Sequence, residues 1–471
     1  MQTKTQGPKP HSPQNRPRKS TGPSSGPSSG KSGGAPKRSP EAEAALETGE
    51  GMAARWAALA LVEAAFTRRG GFDEALGKPP FSTLPPRERA FARALATTTL
   101  RRLGPIDAAL DARLQKPPPE PVRWLLRLGA AQVLFMEVAA HAAVSTTVDQ
   151  AATRQPTRPF KGLINAVLRG LLREGAPATG PEALAPPWLF ARWQAAFGAE
   201  TAALLAASIA EEPATDLTPR DPADLAALAE AMEGEVVGGS VRVRRKGEIA
   251  EYPDFATGRW WVQDAAAATP TRLLNIQPGE TAVDLCAAPG GKTLQLTAAG
   301  AKVTAVDRAD ARLTRLSENL GRMGFTAETI PADAATWGDP RSFDAVLLDA
   351  PCSATGTFRR HPDVLWGATP ADIGKLSVTQ HRLLDAAATK VKPGGRLVYC
   401  VCSLEPEEGE TQAVNFLRRH RDFRAAPITP GEAGLTAVAI TPEGWMRLIP
   451  GRLGQGVDGD GFFAARFVRE G

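Results

Sequence analysis

Thr281-Ala-Val-Asp-Leu-Cys-Ala-Ala-Pro-Gly-Gly-Lys-Thr293 is a short apolar run that breaks into a glycine-rich turn. The run is a strand candidate over 281–285, and the turn opens a helix. Glycine lets a backbone turn sharply and approach a ligand closely. The turn is not a P-loop, which needs glycine five positions before Gly291, where Cys286 stands. It also lacks the G-x-G-x-x-G of a dinucleotide site. A nucleoside site without a diphosphate remains.

The same alternation continues downstream. Lys302–Val306 is a second strand candidate, ending at Asp307, and Ala309–Met323 is helical. Phe343–Leu348 is another apolar run, ending at Asp349. A helix over Asp372–Val391 stops at Pro393-Gly394-Gly395, and the strand Arg396–Val401 ends at Cys402. Strands alternating with helices predict an α/β, doubly wound, Rossmann-like domain over 263–471. Its candidate chemistry falls at the carboxyl ends of the strands, where such sheets bind ligands.

Upstream the pattern differs. Residues 50–175 predict an all-α helical domain: Leu59, Val62 and Phe66 share one face, as do Val122, Leu125, Leu126, Gly129 and Val133. Gly70-Gly71, Pro85-Pro86, Gly104-Pro105 and Pro117-Pro118-Pro119 divide it into a bundle. Residues 176–262 are a connector, helical at Trp188–Phe197 and Ala202–Ile209 and strand-like at Val236–Val243. Arg242, Arg244, Arg245 and Lys246 form a basic cluster there, either an RNA contact or a charged strand edge.

A chain of 471 residues needs two or three domains. The formal charge of +5 is uneven: residues 1–40 hold eight Lys or Arg and no acid. This tail, 1–45, is rich in Pro, Gly and Ser and is expected to be disordered, adding salt-sensitive affinity for phosphates. No apolar run reaches a membrane span and no secretory signal opens the chain, so a cytoplasmic protein without a membrane partner is expected. The four cysteines, Cys286, Cys352, Cys400 and Cys402, are no disulfide framework. Cys400-Val-Cys402 lacks a second pair at finger spacing, so no metal is expected.

Asp307 is placed to accept ribose hydroxyl protons, and Asp333 to accept from an adenine amino group. S-adenosyl-L-methionine fits as cofactor: adenosine, no phosphates, and a cation that carboxylates favour. A thiol beside such a methyl donor suggests methylation of carbon 5 of a pyrimidine. A thiolate adds to carbon 6, carbon 5 attacks the methyl group, and loss of the carbon 5 proton expels the thiol. Asp349, three residues before Cys352, is placed to hydrogen-bond the base. The target carbon is hidden in a stacked helix, so the base must be single-stranded or flipped out.

Asp284-Leu-Cys-Ala-Ala-Pro-Gly-Gly-Lys-Thr, Asp349-Ala-Pro-Cys-Ser-Ala-Thr-Gly and Tyr399-Cys-Val-Cys-Ser-Leu-Glu-Pro-Glu-Glu-Gly-Glu together resemble the Sun/Fmu (RsmB-type) RNA cytosine-5 methyltransferases. Asp460-Gly-Phe-Phe-Ala-Ala matches as well. Lys161-Gly-Leu-Ile-Asn-Ala-Val-Leu-Arg-Gly-Leu-Leu-Arg and Arg87-Glu-Arg-Ala-Phe-Ala resemble the NusB-type RNA-binding helical domain. The resemblance implies Cys402 as nucleophile and Cys352 as the thiol assisting product release. It implies a cofactor site from Cys286, Ala287, Ala288, Pro289, Gly290, Gly291 and Lys292, with Asp307, Asp333 and Asp349. Val401 replaces the family's threonine and Cys400 is an extra thiol. An ideal strand points Cys400 and Cys402 the same way, so spacing does not choose between them. Arg359-Arg360-His361 is expected to clamp RNA phosphate. The expected substrate is small-subunit ribosomal RNA and the expected enzyme a monomer. An inert RNA-binding assembly factor, or an enzyme acting on transfer RNA or DNA, remains an alternative reading.

Overall fold

A computed structural model describes residues 50–67, 70–245 and 247–471; the basic tail and Lys246 lie outside them. The chain begins with seven helices: α1 Glu50–Thr67, α2 Gly71–Leu76, α3 Pro86–Arg101, α4 Leu103–Asp111, α5 Glu120–Phe135, α6 Ala140–Ala152 and α7 Lys161–Glu174. They bury one core that includes Leu61, Val62, Leu95, Leu126, Ile164 and Leu168. Gly129 is glycine for contact: a Cβ there would lie 2.7 Å from Leu168 Cδ1, blocking the approach of α7 to α5. Phe66 departs from the expected buried face. It is 40% exposed and packs on Trp124 and Trp366 at the bundle's rim.

Two helices follow, α8 Pro187–Phe197 and α9 Ala199–Ser208, and then a small sheet. Its strands are β1 Thr215–Pro219, β2 Glu235–Val237, β3 Ser240–Val243 and β4 Trp260–Val262, in antiparallel order β2-β3-β1-β4. The strand expected at Val236–Val243 is thus a hairpin, turned at Gly238-Gly239. Arg242 of the expected basic cluster is buried. It holds Asp216 through two bonds of 2.7 and 2.8 Å, and donates to the carboxylate and the carbonyl of Asp458, both at 2.8 Å. Asp216 also accepts from the backbone N–H of Ala265 at 3.0 Å, which ties the small sheet to the next element, α10 Ala265–Arg272. The tryptophans of β4 face opposite sides, as strand geometry requires. Trp260 enters the small sheet's core, and Trp261 packs with Ala287 and Leu294 beside the glycine-rich turn.

The large sheet contains β5 Thr281–Leu285, β6 Lys302–Asp307, β7 Glu328–Pro331, β8 Phe343–Asp349 and β9 Val391–Val401, with β10 Phe423–Ala425, β11 Met446–Leu448 and β12 Phe462–Arg469. The order is β10-β12-β9-β8-β5-β6-β7, and β11 also pairs with β12. Strands β9, β8, β5, β6 and β7 are parallel, with helices between them. They are α11 Gly291–Ala298, α12 Asp310–Met323 and α13 Pro370–Thr389. Leu285, Val346, Leu348 and Leu397 are buried, as expected of strands covered on both faces. The antiparallel edge formed by β10–β12 extends the expected parallel sheet. Helix α13 ends at Thr389 rather than Val391, because Val391 already pairs with Phe343. Among the described residues no helix is long and apolar enough to cross a membrane.

Replacing Arg242 by alanine removes the bidentate partner of the fully buried Asp216. We expect a loss of about 3 kcal/mol of unfolding free energy, measured by urea titration. The exposed neighbour Arg244→Ala should stay within about 0.5 kcal/mol of the parent.

Candidate active site

The glycine-rich turn is held by its neighbours in the sheet. Cys286 lies just beyond β5, not within it, and takes a left-handed φ of 66°. The Ala287 N–H donates to the Val306 carbonyl at 3.0 Å. Asp307, at the end of β6, accepts from the Ala288 N–H at 3.1 Å and the Ala309 N–H at 2.9 Å. Asp307 is 3% exposed and braces the turn. Each of its oxygens keeps a second lone pair for a ligand. Asp333, just past β7, is exposed and accepts from the Ala335 N–H at 2.9 Å. Beneath the turn, the Thr293 hydroxyl donates to Asp284 at 2.6 Å. Burial pushes the Asp284 carboxyl up to about 7.

Lys292 and Asp349 connect the turn to the cysteines. The Lys292 ammonium donates to Asp349 Oδ2 at 2.8 Å and lies 5.3 Å from the centre of the Phe462 ring. Strands β8 and β9 pair with Asp349 opposite Cys400. Cys400 Sγ lies 3.5 Å from Asp349 Oδ1. Cys402 is past the end of β9, and its sulfur lies 3.4 Å from that of Cys352. The two nearby thiols of the last strand therefore face different partners. Burial pushes the Cys400 thiol well up and that of Cys286 up to about 12. The Cys352 thiol is also pushed well up, first by its bond to Cys402 and then by burial. Cys402 is half-buried, whereas Cys352 and Cys400 are buried.

The loops carrying Cys352 and Cys402 are fastened to each other. The Gly356 N–H donates to the Cys402 carbonyl at 3.1 Å, and the Gly461 N–H donates to the Gly356 carbonyl at 2.8 Å. A Cβ on Gly356 would lie 2.2 Å from the Gly461 oxygen, so only glycine fits. The sequence reading gave no role to Glu408, which is fully buried. Its carboxylate accepts from the Ser353 N–H at 2.9 Å, the Ser353 hydroxyl at 2.5 Å, the Ser403 hydroxyl at 2.6 Å and Gln380 at 3.0 Å. Arg192 of α8 donates to Glu405 at 2.5 Å and Glu407 at 2.7 Å.

The expected phosphate clamp is not free. Arg360 donates to Asp264 at 2.5 Å and lies 3.4 Å from Asp460 and 3.6 Å from Asp216. Arg359 donates to the Gly459 carbonyl at 3.2 Å, and its own carbonyl accepts from Arg101 of the helical bundle. His361 is 3.7 Å from Asp73, and Trp366 donates to the Leu100 carbonyl at 3.0 Å. The segment after Cys352 thus anchors the bundle to the sheet.

A doubly wound parallel sheet with an antiparallel edge, a braced glycine-rich turn and paired thiols stand together. Residues 271–468 match the family model described as 16S rRNA methyltransferase RsmB/F, and residues 52–173 match the NusB family. The chain is 38% identical to Ribosomal RNA small subunit methyltransferase B of Xanthomonas campestris pv. campestris, over 82% of this chain and 92% of that protein. The chain belongs to this methyltransferase family. The family's protein from Sodalis glossinidius is 36% identical over 84% of this chain and 93% of its own. Among solved structures, that of PH0851 is 26% identical and superposes with a TM-score of 0.70, covering 89% of this chain and 98% of that one. A methyltransferase homolog protein from Pyrococcus horikoshii is 27% identical with a TM-score of 0.50, covering 64% and 98%. The family assignment makes this chain an RNA methyltransferase.

Asp284 gives a pH test of the site's interior. The folded protein keeps its proton to about pH 7, whereas the unfolded chain releases it near pH 4. Unfolding therefore releases a proton between these values, and stability from this group falls as pH rises through that window. We expect Asp284→Asn to gain stability relative to the parent across it, by up to about 1.4 kcal/mol per pH unit. Urea titrations at several pH values measure this; a constant difference would remove the buried neutral acid.

Proposed function

We propose that this chain methylates carbon 5 of a cytosine in small-subunit ribosomal RNA, using S-adenosyl-L-methionine and a transient bond from Cys402. The observation that carries the proposal is the 3.4 Å contact between the Cys402 and Cys352 sulfurs, beside the Asp349–Lys292 pair. The relatives from Xanthomonas campestris pv. campestris and Sodalis glossinidius are both named for ribosomal RNA small subunit methylation.

The residues present fit the cofactor. Carboxylates stand at the ends of β6, β7 and β8, and the turn from Cys286 to Lys292 opens α11 between them. Asp307 and Asp333 would hold the adenosine, and Lys292 with the turn and Asp349 would hold the methionine end. When bound, the cofactor supplies an electrophilic methyl group. Lys292 sits among carboxylates, so its charge is balanced and the sulfonium meets a favourable field.

Cys402 is the proposed nucleophile because it is half-buried at the strand end and in contact with Cys352, whereas Cys400 is buried and the equally half-buried Cys286 stands in the glycine-rich turn. Its sulfur adds to carbon 6 of the ring, and electron density moves to carbon 5. Asp349 is the proposed partner of the ring as charge builds on it. Cys352, raised and in contact with Cys402, stays a thiol as the adduct forms. After carbon 5 is methylated its proton passes to solvent, the C–H electron pair restores the carbon 5–carbon 6 double bond, the carbon 6–sulfur bond breaks, and Cys402 leaves as a thiolate. Cys352 is the proposed aid to that release.

Cys402→Ala should abolish methylation, measured with labelled cofactor and ribosomal RNA. Cys352→Ser should accumulate a covalent protein–RNA adduct that survives denaturing electrophoresis, and Cys402→Ser should form none. Full activity in Cys402→Ala overturns the proposal, and an adduct in Cys402→Ser but not Cys352→Ser transfers the nucleophile to Cys352. Bisulfite sequencing of RNA from cells lacking the protein identifies the cytosine.

A further inference from the structure

Two loops leave neighbouring strands and must put two sulfurs in contact. Hydrogen bonds between the backbones fix only part of this arrangement, through Gly356 and Cys402. The residue after each cysteine is a serine, Ser353 and Ser403, and both are fully buried. Their oxygens lie 3.1 Å apart. Both hydroxyls donate to one oxygen of Glu408, and the Ser353 N–H donates to the other. Gln380 joins Glu408 to the Pro351 carbonyl, on the other side of Cys352. One carboxylate therefore grips the chain on both sides of Cys352 and directly after Cys402.

We propose that Glu408 is the positioning residue of the thiol pair. It rests on the proposed chemistry of Cys402 and Cys352 only for its catalytic consequence. Glu408 acts by fixing the two serines. An ionised carboxylate can accept all four bonds at once, which no neutral side chain of this size does. Charge-assisted bonds of this kind are short and geometrically restrictive. Its negative charge also favours the protonated form of Cys352.

The test reads the contact between the thiols without RNA or cofactor. The full-length protein is treated with diamide, which takes up the two electrons and two protons released as the Cys352–Cys402 disulfide forms. Peptide mass spectrometry follows the rate. The expected loss for Glu408→Ala is at least about tenfold in pairing rate and about 100-fold in kcat, the scale of a misplacement of about 1 Å. Glu408→Gln, which keeps one carbonyl acceptor, should fall between it and the parent, with KM for RNA unchanged. Glu407→Gln, which alters the same loop but not the serines, should pair its thiols at the parent rate. Should Glu408→Ala fail to fold by thermal melting, Ser353→Ala and Ser403→Ala each remove one grip and should each slow pairing. Parent-rate pairing in folded Glu408→Gln and in both serine variants overturns the proposal. Slowed pairing with unchanged methylation leaves Glu408 as the positioning residue and overturns instead the thiol chemistry proposed above.

Discussion

The parallel pairing of β8 with β9 is the constraint on which the site depends. Asp349 faces Cys400 across the ladder, so the loops that follow emerge side by side. Each then turns inward through a serine held by Glu408. A sulfur–sulfur contact between residues 50 positions apart is thereby set by backbone register before any ligand arrives. The neighbouring β5 adds the glycine-rich turn, and Lys292 crosses from it to Asp349. Three adjacent strand ends thus supply a braced turn, an ion pair and two thiols, the arrangement open α/β sheets favour.

Charge in this region is sorted by depth. Arg242, Arg360, Asp216, Asp264 and Asp460 form a buried or half-buried network that joins the small sheet to the catalytic sheet. Burial alone would make these groups costly, and mutual pairing offsets that cost. Asp460 is the exception: burial first, and then Asp264, push its carboxyl up to about 7. Arg360, expected with Arg359 and His361 to clamp RNA phosphate, is claimed by three acids distant from it in sequence. The same loop sends Trp366 and His361 to the helical bundle, so the elements nearest the thiols also carry the domain contact.

Much of the sheet was legible because its parallel strands are buried on both faces. Such strands are continuous apolar runs, and Thr281–Leu285, Lys302–Asp307 and Phe343–Asp349 each end at an acid or a cysteine turn. The edge strands were less legible. Strands β2 and β10 have three residues each, too few to show an alternation. The hairpin at Val236–Val243 read as one strand although Gly238-Gly239, a two-residue turn signal, stands between its arms. The role of Glu408 could not be read locally, since Glu405, Glu407 and Glu408 have the same chemistry and differ only in what folds over them.

By itself the sequence determined which elements exist and where the reactive groups stand along them. Apolar periodicity and turn residues act over a few positions, and a glycine-rich turn or a cysteine after a strand carries its meaning locally. The tertiary structure decided which of those groups meet. It set Cys402 against Cys352 and Cys400 against Asp349, although an ideal strand would point both thiols alike. It also placed Asp307 on the backbone of the turn and Arg242 in the interior. These choices depend on pairing and burial between segments far apart in the chain, and no local pattern encodes them.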